Sequence, residues 1–178
     1  MKLSVKLKTG VYYNGELIHD ADMVISTLGL TANSAIQTHF ECDESSGRLR
    51  VNDRLQVPSH PYCFSAGDNA VCSAADGRDS IMSCQQARPQ GRVAGYNAIN
   101  YLCDDRLHQY EVAPYVTCID LGQDDALFTR GYDYDIVLTG LPAKAKKRWI
   151  NQTRIYPPIA TDLTALYAAG HLNEPVAS

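Results

Sequence analysis

Between Tyr62 and Gly91 the chain passes from a short apolar run, Tyr62-Cys-Phe-Ser65, through Ala66-Gly67-Asp68 into a polar stretch and then into its best helical candidate. The apolar run has the length and character of a buried strand. It stops at two small residues, where the main chain is open to close approach by a ligand's polar backbone. Asp68 follows at once, at the carboxyl end of the strand, which is where α/β folds place their ligands. Downstream, Ser83-Cys-Gln-Gln-Ala-Arg-Pro-Gln-Gly91 opens a helix whose first amides suit an anionic or electron-rich group. In the absence of a ligand the same residues read as a turn whose Asp caps a helix.

Phe64-Ser-Ala-Gly-Asp68 followed by Cys84-Gln-Gln-Ala-Arg-Pro-Gln-Gly91 resembles the second flavin-binding segment of the pyridine nucleotide-disulfide oxidoreductase superfamily, flavoproteins with two dinucleotide domains. Within that superfamily it most resembles the type II NADH dehydrogenases and their apoptosis-inducing-factor-like and ferredoxin-reductase-like relatives. The resemblance implies that Asp68 hydrogen-bonds the ribityl chain of FAD and that Gly67 lies near the pyrophosphate. It further implies that the helix start at Gln85, Gln86 and Ala87 faces the pyrimidine side of the isoalloxazine. There the helix dipole would stabilise charge on the reduced flavin by about 1 kcal/mol. The implied activity is hydride transfer from NAD(P)H to FAD and passage of electrons to a quinone or a small redox protein, with Gln86 and Gln90 bordering the acceptor site.

Around that segment, residues 3–8 alternate apolar and polar and predict a half-buried strand, with residues 11–18, interrupted by Asn14-Gly15, as its hairpin partner. Residues 23–27 predict a short buried strand ending at Leu28-Gly29, residues 31–40 a short helix and residues 41–47 a loop. Leu49, Val51, Leu55 and Val57 alternate across Asn52-Asp53 and predict a hairpin over 47–57, broken by Pro58. Residues 72–80 are small and polar and predict a surface loop. Residues 85–102 predict the main helix, in which Ala87, Gly91, Ala94 and Ala98 leave one face nearly bare for close packing against a backbone or a planar ring. Pro89 belongs in a first turn or at a kink, so the regular helix is expected from Ala87 or Arg88.

Beyond residue 105 three β-prone runs, 115–120, 126–129 and 134–139, predict an antiparallel meander. A basic helix over 144–152 follows. Its run Lys144, Lys146, Lys147 and Arg148 with Trp149 reads either as a membrane-surface contact or as a solvated helix face. The last helix starts at Thr161-Asp162, carries Leu163, Leu166 and Tyr167 as an apolar stripe, and stops at Gly170.

The expected class is therefore α+β. Residues 1–35 are expected as a remnant of an NAD(P)-domain exit, 36–105 as the carboxyl-terminal part of an FAD-binding domain, and 106–178 as an antiparallel sheet with helices that forms an interface or acceptor domain. A chain of 178 residues with 45% hydrophobic and 20% charged content has an ordinary globular composition, and its net charge of −4 gives no reason to expect a nucleic-acid partner. No apolar run approaches the ~18 residues of a membrane span. The cysteines at 42, 63, 72, 84, 103 and 118 form no Cys-x-x-Cys and read as reduced packing residues of a cytoplasmic protein, one that could touch the inner face of a membrane peripherally. His171-Leu-Asn-Glu174 resembles the His/Glu pair of disulfide reductases only superficially, no histidines pair as metal ligands, and no metal is expected.

No Gly-x-Gly-x-x-Gly occurs, whereas a complete protein of the resembling kind carries one for the ADP half of FAD and one for NAD(P)H. The chain is thus expected to be the carboxyl-terminal portion of a longer flavoprotein, colourless and inactive by itself, holding one wall of the flavin site and prone to homo-oligomerise. The alternative expectation is a non-catalytic dimerisation or docking module derived from such a flavoprotein.

Overall fold

The computed structural model describes the chain except residues 1–2, 7–9, 21, 24, 26, 28, 75 and 173–178. It divides into two units, Met1–Leu30 and Thr31–Ser178. In the first, β1 (Leu3–Lys6), β2 (Gly10–Tyr13) and β3 (Glu16–His19) form an antiparallel meander. The single partner strand expected over 11–18 is two strands. Asn14 (φ 49°) and Gly15 (φ 93°) both take the left-handed backbone of a two-residue hairpin turn, which reverses the chain between β2 and β3. The strand expected over 23–27 includes residues 24 and 26, which lie outside the described ones.

The second unit is arranged along α1 (Cys84–Leu102). Its buried positions are Gln86, Gln90, Ala94 and Asn97, spaced by four, four and three, so the face turned inward is rich in amides. Those amides meet an irregular segment that runs back along the helix. Asn100 Nδ2 donates to Arg106 O (2.8 Å), Asn97 Nδ2 to His108 O (2.8 Å), Gln86 Nε2 to Ala113 O (3.0 Å) and Gln85 Nε2 to Val116 O (2.6 Å). Asn97 also accepts from His108 N (2.7 Å) and donates to Arg54 O (2.9 Å). A segment with no ladder of its own thereby satisfies its buried backbone groups.

Beneath α1, β4 (Leu49–Arg50) pairs in parallel with β7 (Ala70–Val71), and β5 (Gln56–Val57) pairs antiparallel with β6 (His60–Phe64). This corrects the hairpin expected over 47–57. The turn forms, with Asn52 Oδ1 accepting from Arg54 N and Gln56 N (2.9 and 3.0 Å), but its two arms pair with different strands. The buried strand expected at 62–65 is also corrected: Tyr62 is 67% exposed, because β6 has a strand partner on one side only. The core gathers Leu49, Val51, Leu55, Val57, Ala70, Cys72, Ala94 and Tyr110. The helix expected over 31–40 is a 3-10 turn, Ser34–Thr38, whose Ala35 N donates to Asn33 Oδ1 (3.0 Å).

Two expectations for α1 also change. The helix starts at Cys84 and carries Pro89 inside it, since Gln85 and Gln86 anchor the turn that precedes the proline. Its small face is not in tight contact at Gly91 or Gly95, where an added β-carbon would meet no atom within 4 Å. Of the cysteines, all free, only Cys72 is buried, and Cys84 and Cys103 are exposed.

The meander expected beyond residue 105 is present as β8 (Val116–Asp120), β9 (Ala126–Arg130) and β10 (Asp135–Thr139), with β9 central and Phe128 buried. It packs on α2 (Gly140–Trp149), which runs into a π-helical turn, Ile150–Arg154. The basic run of α2 is not a solvated face. Lys144 is 8% exposed and bonds Asp120 Oδ1 (2.7 Å) and Gly122 O; Lys146 lies over the Phe128 ring; Lys147 Nζ donates to Cys118 O (2.8 Å). Of these four, Arg148 alone is exposed. The terminal helix α3 (Leu163–Gly170) is capped by Asp162, and its expected stripe is open: Leu163 and Tyr167 are exposed. No described helix is long and apolar enough to cross a membrane.

Two outcomes follow from these contacts. Asn97→Ala leaves the His108 amide and two carbonyls without their partner, and urea denaturation followed by circular dichroism should read a loss of about 2–4 kcal/mol. The Lys144 ammonium and the Gly122 amide hold the Asp120 carboxyl below the usual carboxylate range. Its contribution to stability is therefore complete above the unfolded-state pKa of about 4 and is lost as pH falls through the lower folded value. Lys144→Met should flatten that acid limb in urea midpoints collected across the window, and an unchanged slope would refute the assignment.

Candidate functional site

The turn that follows β6 is short and closely held. Gly67 opens a 3-10 turn, Gly67–Asn69, with φ +75°, a backbone that residues with a side chain rarely adopt. Gly67 N donates to Gln90 Oε1 (2.8 Å), which fastens the turn to the second turn of α1. A β-carbon on Gly67 would lie 3.6 Å from the Ala87 methyl, an ordinary contact, so the conformation and not crowding calls for glycine here. On the other side Asn69 Oδ1 accepts from Asn33 N (3.0 Å). Between these two anchors the Asp68 side chain is exposed, and among the described residues it makes no hydrogen bond or ion pair. Asp68 acts electrostatically on Arg48, which is buried to 7% exposure with its Nη1 on Ala70 O (3.2 Å) and Ser80 O (2.7 Å).

The helix start opposite the turn divides in two. Gln86 N and Ala87 N both donate to Ser83 O (3.1 and 2.9 Å), so these amides are occupied. Among the described residues the Cys84 and Gln85 amides meet no acceptor, and Ser83 supplies no side-chain cap. Of the side chains expected at the site, Gln85 is clamped on Val116, its Oε1 accepting from Val116 N (3.2 Å) while its Nε2 donates to Val116 O. Gln86 lies inside, taking the Tyr110 hydroxyl on Oε1 (2.5 Å), and burial pushes that phenol well above its ordinary pKa. Gln90 is also buried. Because Gly67 N–H fixes which amide atom is the oxygen, Nε2 is the orphan, and it finds no partner. Ser83 Oγ is a second buried polar atom without one.

The structure thus brings Gly67, Asp68, Ala87 and Gln90 together, and turns Gln85 and Gln86 to structural duty. Arg48, Tyr110 and the inward set of glutamines escaped the sequence reading, since amides at every fourth position of a helix ordinarily mark its wet face. Asn100 and Asn97, lying on the same helix as Gln86, were the available signal. Among the described residues no cluster of three or more His, Cys, Asp or Glu could hold a metal ion.

Against known proteins, no family model matches the chain. Two curated proteins of Mycobacterium tuberculosis do, the NADH dehydrogenase-like proteins of strain CDC 1551 / Oshkosh and of strain ATCC 25618 / H37Rv, each 40% identical over 149 residues. The chain is related to NADH dehydrogenase-like proteins. The aligned residues make up 84% of this chain and 37% of each relative, so the chain spans little more than a third of the length of the curated relatives it matches.

If the Gly67 backbone is what the turn requires, Gly67→Ala should cost about 1–2 kcal/mol through the left-handed penalty alone. Gly67→Asn should recover part of that loss, because asparagine tolerates the conformation. Thermal unfolding of the two variants side by side distinguishes this from crowding, which would rank the bulkier asparagine lower.

Proposed function

We propose that the chain is the flavin-side, carboxyl-terminal portion of an FAD-dependent NAD(P)H oxidoreductase that passes hydride from NAD(P)H to FAD and electrons on to a quinone or a small redox acceptor. The observation that carries this reading is the exposed Asp68 carboxylate, which makes no hydrogen bond or ion pair among the described residues, on a glycine turn fastened to the start of α1. An acceptor-only group held on a rigid turn suits a ligand rich in hydroxyls. The name and the 40% identity of the mycobacterial relatives support NADH-linked redox chemistry. When bound, FAD supplies the hydride acceptance and the electron transfer; the protein supplies position and electrostatics.

In that role Asp68 accepts hydrogen bonds from the ribityl hydroxyls, and Gly67 leaves its face of the backbone bare for the pyrophosphate. The open amides of Cys84 and Gln85, at the positive end of α1, favour the electron-rich edge of the ring system. Gln90 acts from behind as a positioning residue, since its Oε1 fixes Gly67. The acceptor then approaches from the side of α1 that carries Gln85 and not through Gln86 or Gln90, whose side chains are buried.

A second reading, a docking module, has its own observation. Ile119, Ile136 and Val137 on the meander, and Trp149, Tyr156, Ile159, Leu163 and Tyr167 beyond it, are all large apolar side chains in solvent. Such a surface suits a second copy of the chain or peripheral contact with a membrane.

A chimera tests the first reading: residues of this chain replace the 149 aligned residues of the mycobacterial relative. The purified chimera should retain flavin absorbance and NADH-dependent reduction of a quinone. Asp68→Ala in it should lower flavin content about tenfold or more, the loss of one or more charge-assisted hydrogen bonds. Flavin content unchanged by that substitution would overturn the site.

A further inference from the structure

Arg48 is a buried cation whose bonds go only to carbonyls. Its Nη1 holds Ala70 O and Ser80 O, and its Nε is buried without a partner. Among the described residues no carboxylate makes a hydrogen bond or ion pair with it. Burial lowers its pKa, against the pull of Asp79, Asp43 and Asp68. Asp79 and Asp43 are both engaged by Arg50, Asp79 at 3.5 Å. Asp68 is the third of these carboxylates, exposed on its turn.

The grip on Ala70 ties Arg48 to that turn. Ala70 closes it, because its N–H donates to Gly67 O. The turn is therefore held at both ends, by Gln90 Oε1 at Gly67 N and by Arg48 Nη1 at Ala70 O. Holding carbonyls does not call for a charge. Asn97, fully buried, binds Arg54 O and His108 O with a neutral amide. A guanidinium in the same position leaves an interior charge that no adjoining carboxylate neutralises, and this is destabilising by itself. Buried groups left in that state collect at functional sites. The charge also bears on what the turn can accept. Asp68 alone would repel a phosphate brought to the bare face of Gly67, and a cation behind the turn offsets that repulsion. Being buried, it is screened little by salt.

We propose that Arg48 is a positioning residue of the Gly67 turn and that its charge makes the site select phosphorylated flavins. By holding Ala70 O it fixes the far end of the turn. From behind the turn it balances the Asp68 carboxylate, so that a phosphate ester can lie at Gly67 while Asp68 receives hydroxyls. This inference rests on the flavin reading and adds to it a rule of discrimination, FAD and FMN over riboflavin, which has the same ring and ribityl chain without phosphate.

The chimera described above, freed of its flavin and titrated in excess into dilute FAD, FMN or riboflavin, tests it through flavin fluorescence. Arg48→Gln should weaken FAD and FMN about fivefold or more and change riboflavin less than about twofold. Arg48→Lys, which keeps the charge, should hold the ratio of FMN to riboflavin affinity within about twofold of the unsubstituted chimera. Asp68→Ala, by contrast, should weaken all three flavins, since all carry the ribityl hydroxyls. Loss of riboflavin affinity equal to that of FMN in Arg48→Gln would reduce Arg48 to a structural clamp and overturn the proposal, as would FMN affinity unchanged in that variant. Should Arg48→Gln lose its cooperative unfolding transition, Arg48→Lys decides alone: a folded lysine variant whose preference for FMN collapses overturns the proposal, and one that keeps it supports it. Flavin binding that ignores Asp68→Ala is a different failure, that of the flavin reading itself, and it would take this inference with it.

Discussion

Gln85, Gln86, Asn97 and Asn100 set the order of the second unit, because their side chains give an irregular stretch of backbone the hydrogen bonds it cannot make to itself. Each amide offers a donor and an acceptor, and in a low-dielectric interior leaving a carbonyl unpaired costs about 1–3 kcal/mol. The contacts descend the helix as the segment ascends: Asn100 to residue 106, Asn97 to 108, Gln86 to 113 and Gln85 to 116. Together with the core packing of Tyr110 and Val112, they determine where β8 begins.

The same helix face connects packing to the candidate site. Gln90, one turn beyond Gln86, uses its oxygen to hold Gly67 and leaves its nitrogen unpaired in the interior. A fully structural glutamine would be satisfied at both ends, as Asn97 is. The turn is therefore held by a residue that is itself incompletely paired, next to an Asp68 that makes no hydrogen bond or ion pair among the described residues. Local dissatisfaction of this kind is common where proteins hold ligands.

Much of the architecture was legible from pattern. Gly122 and Gly131 divided three β-prone runs correctly, and the α+β character followed from strands, a long helix and a meander in that order. The errors have specific causes. Asn14-Gly15 is a complete turn signal that was read as an interruption. Asn52 does build the expected turn, but pattern alone does not show that Leu49–Arg50 pairs in parallel with Ala70–Val71 while Gln56–Val57 pairs with β6. Lysines on α2 read as solvated because the sequence shows charge without showing the Asp120 carboxylate, the Phe128 ring and the Cys118 carbonyl waiting for them. At the site, Gly67 and Asp68 were readable, whereas the inward turn of Gln86 and Gln90 was not, since polar side chains are bought into a core only by long-range partners such as Tyr110 and Gly67.

The amides of α1 pair with main-chain atoms of the segment behind it, while the Tyr110 hydroxyl and the His108 ring, which meets Tyr96 edge-on, add side-chain contacts. Carbonyls are alike in every amino acid, so positions of the segment other than His108, Gln109, Tyr110 and Val112, whose side chains meet Tyr96, Asp53, Gln86 and the core, can change in composition while the amides keep their grip. An insertion or deletion is another matter, because it would slide each carbonyl off its amide and displace the start of β8 together with the sheet it leads. At those positions substitution is cheap, and a change of length anywhere in the segment is not.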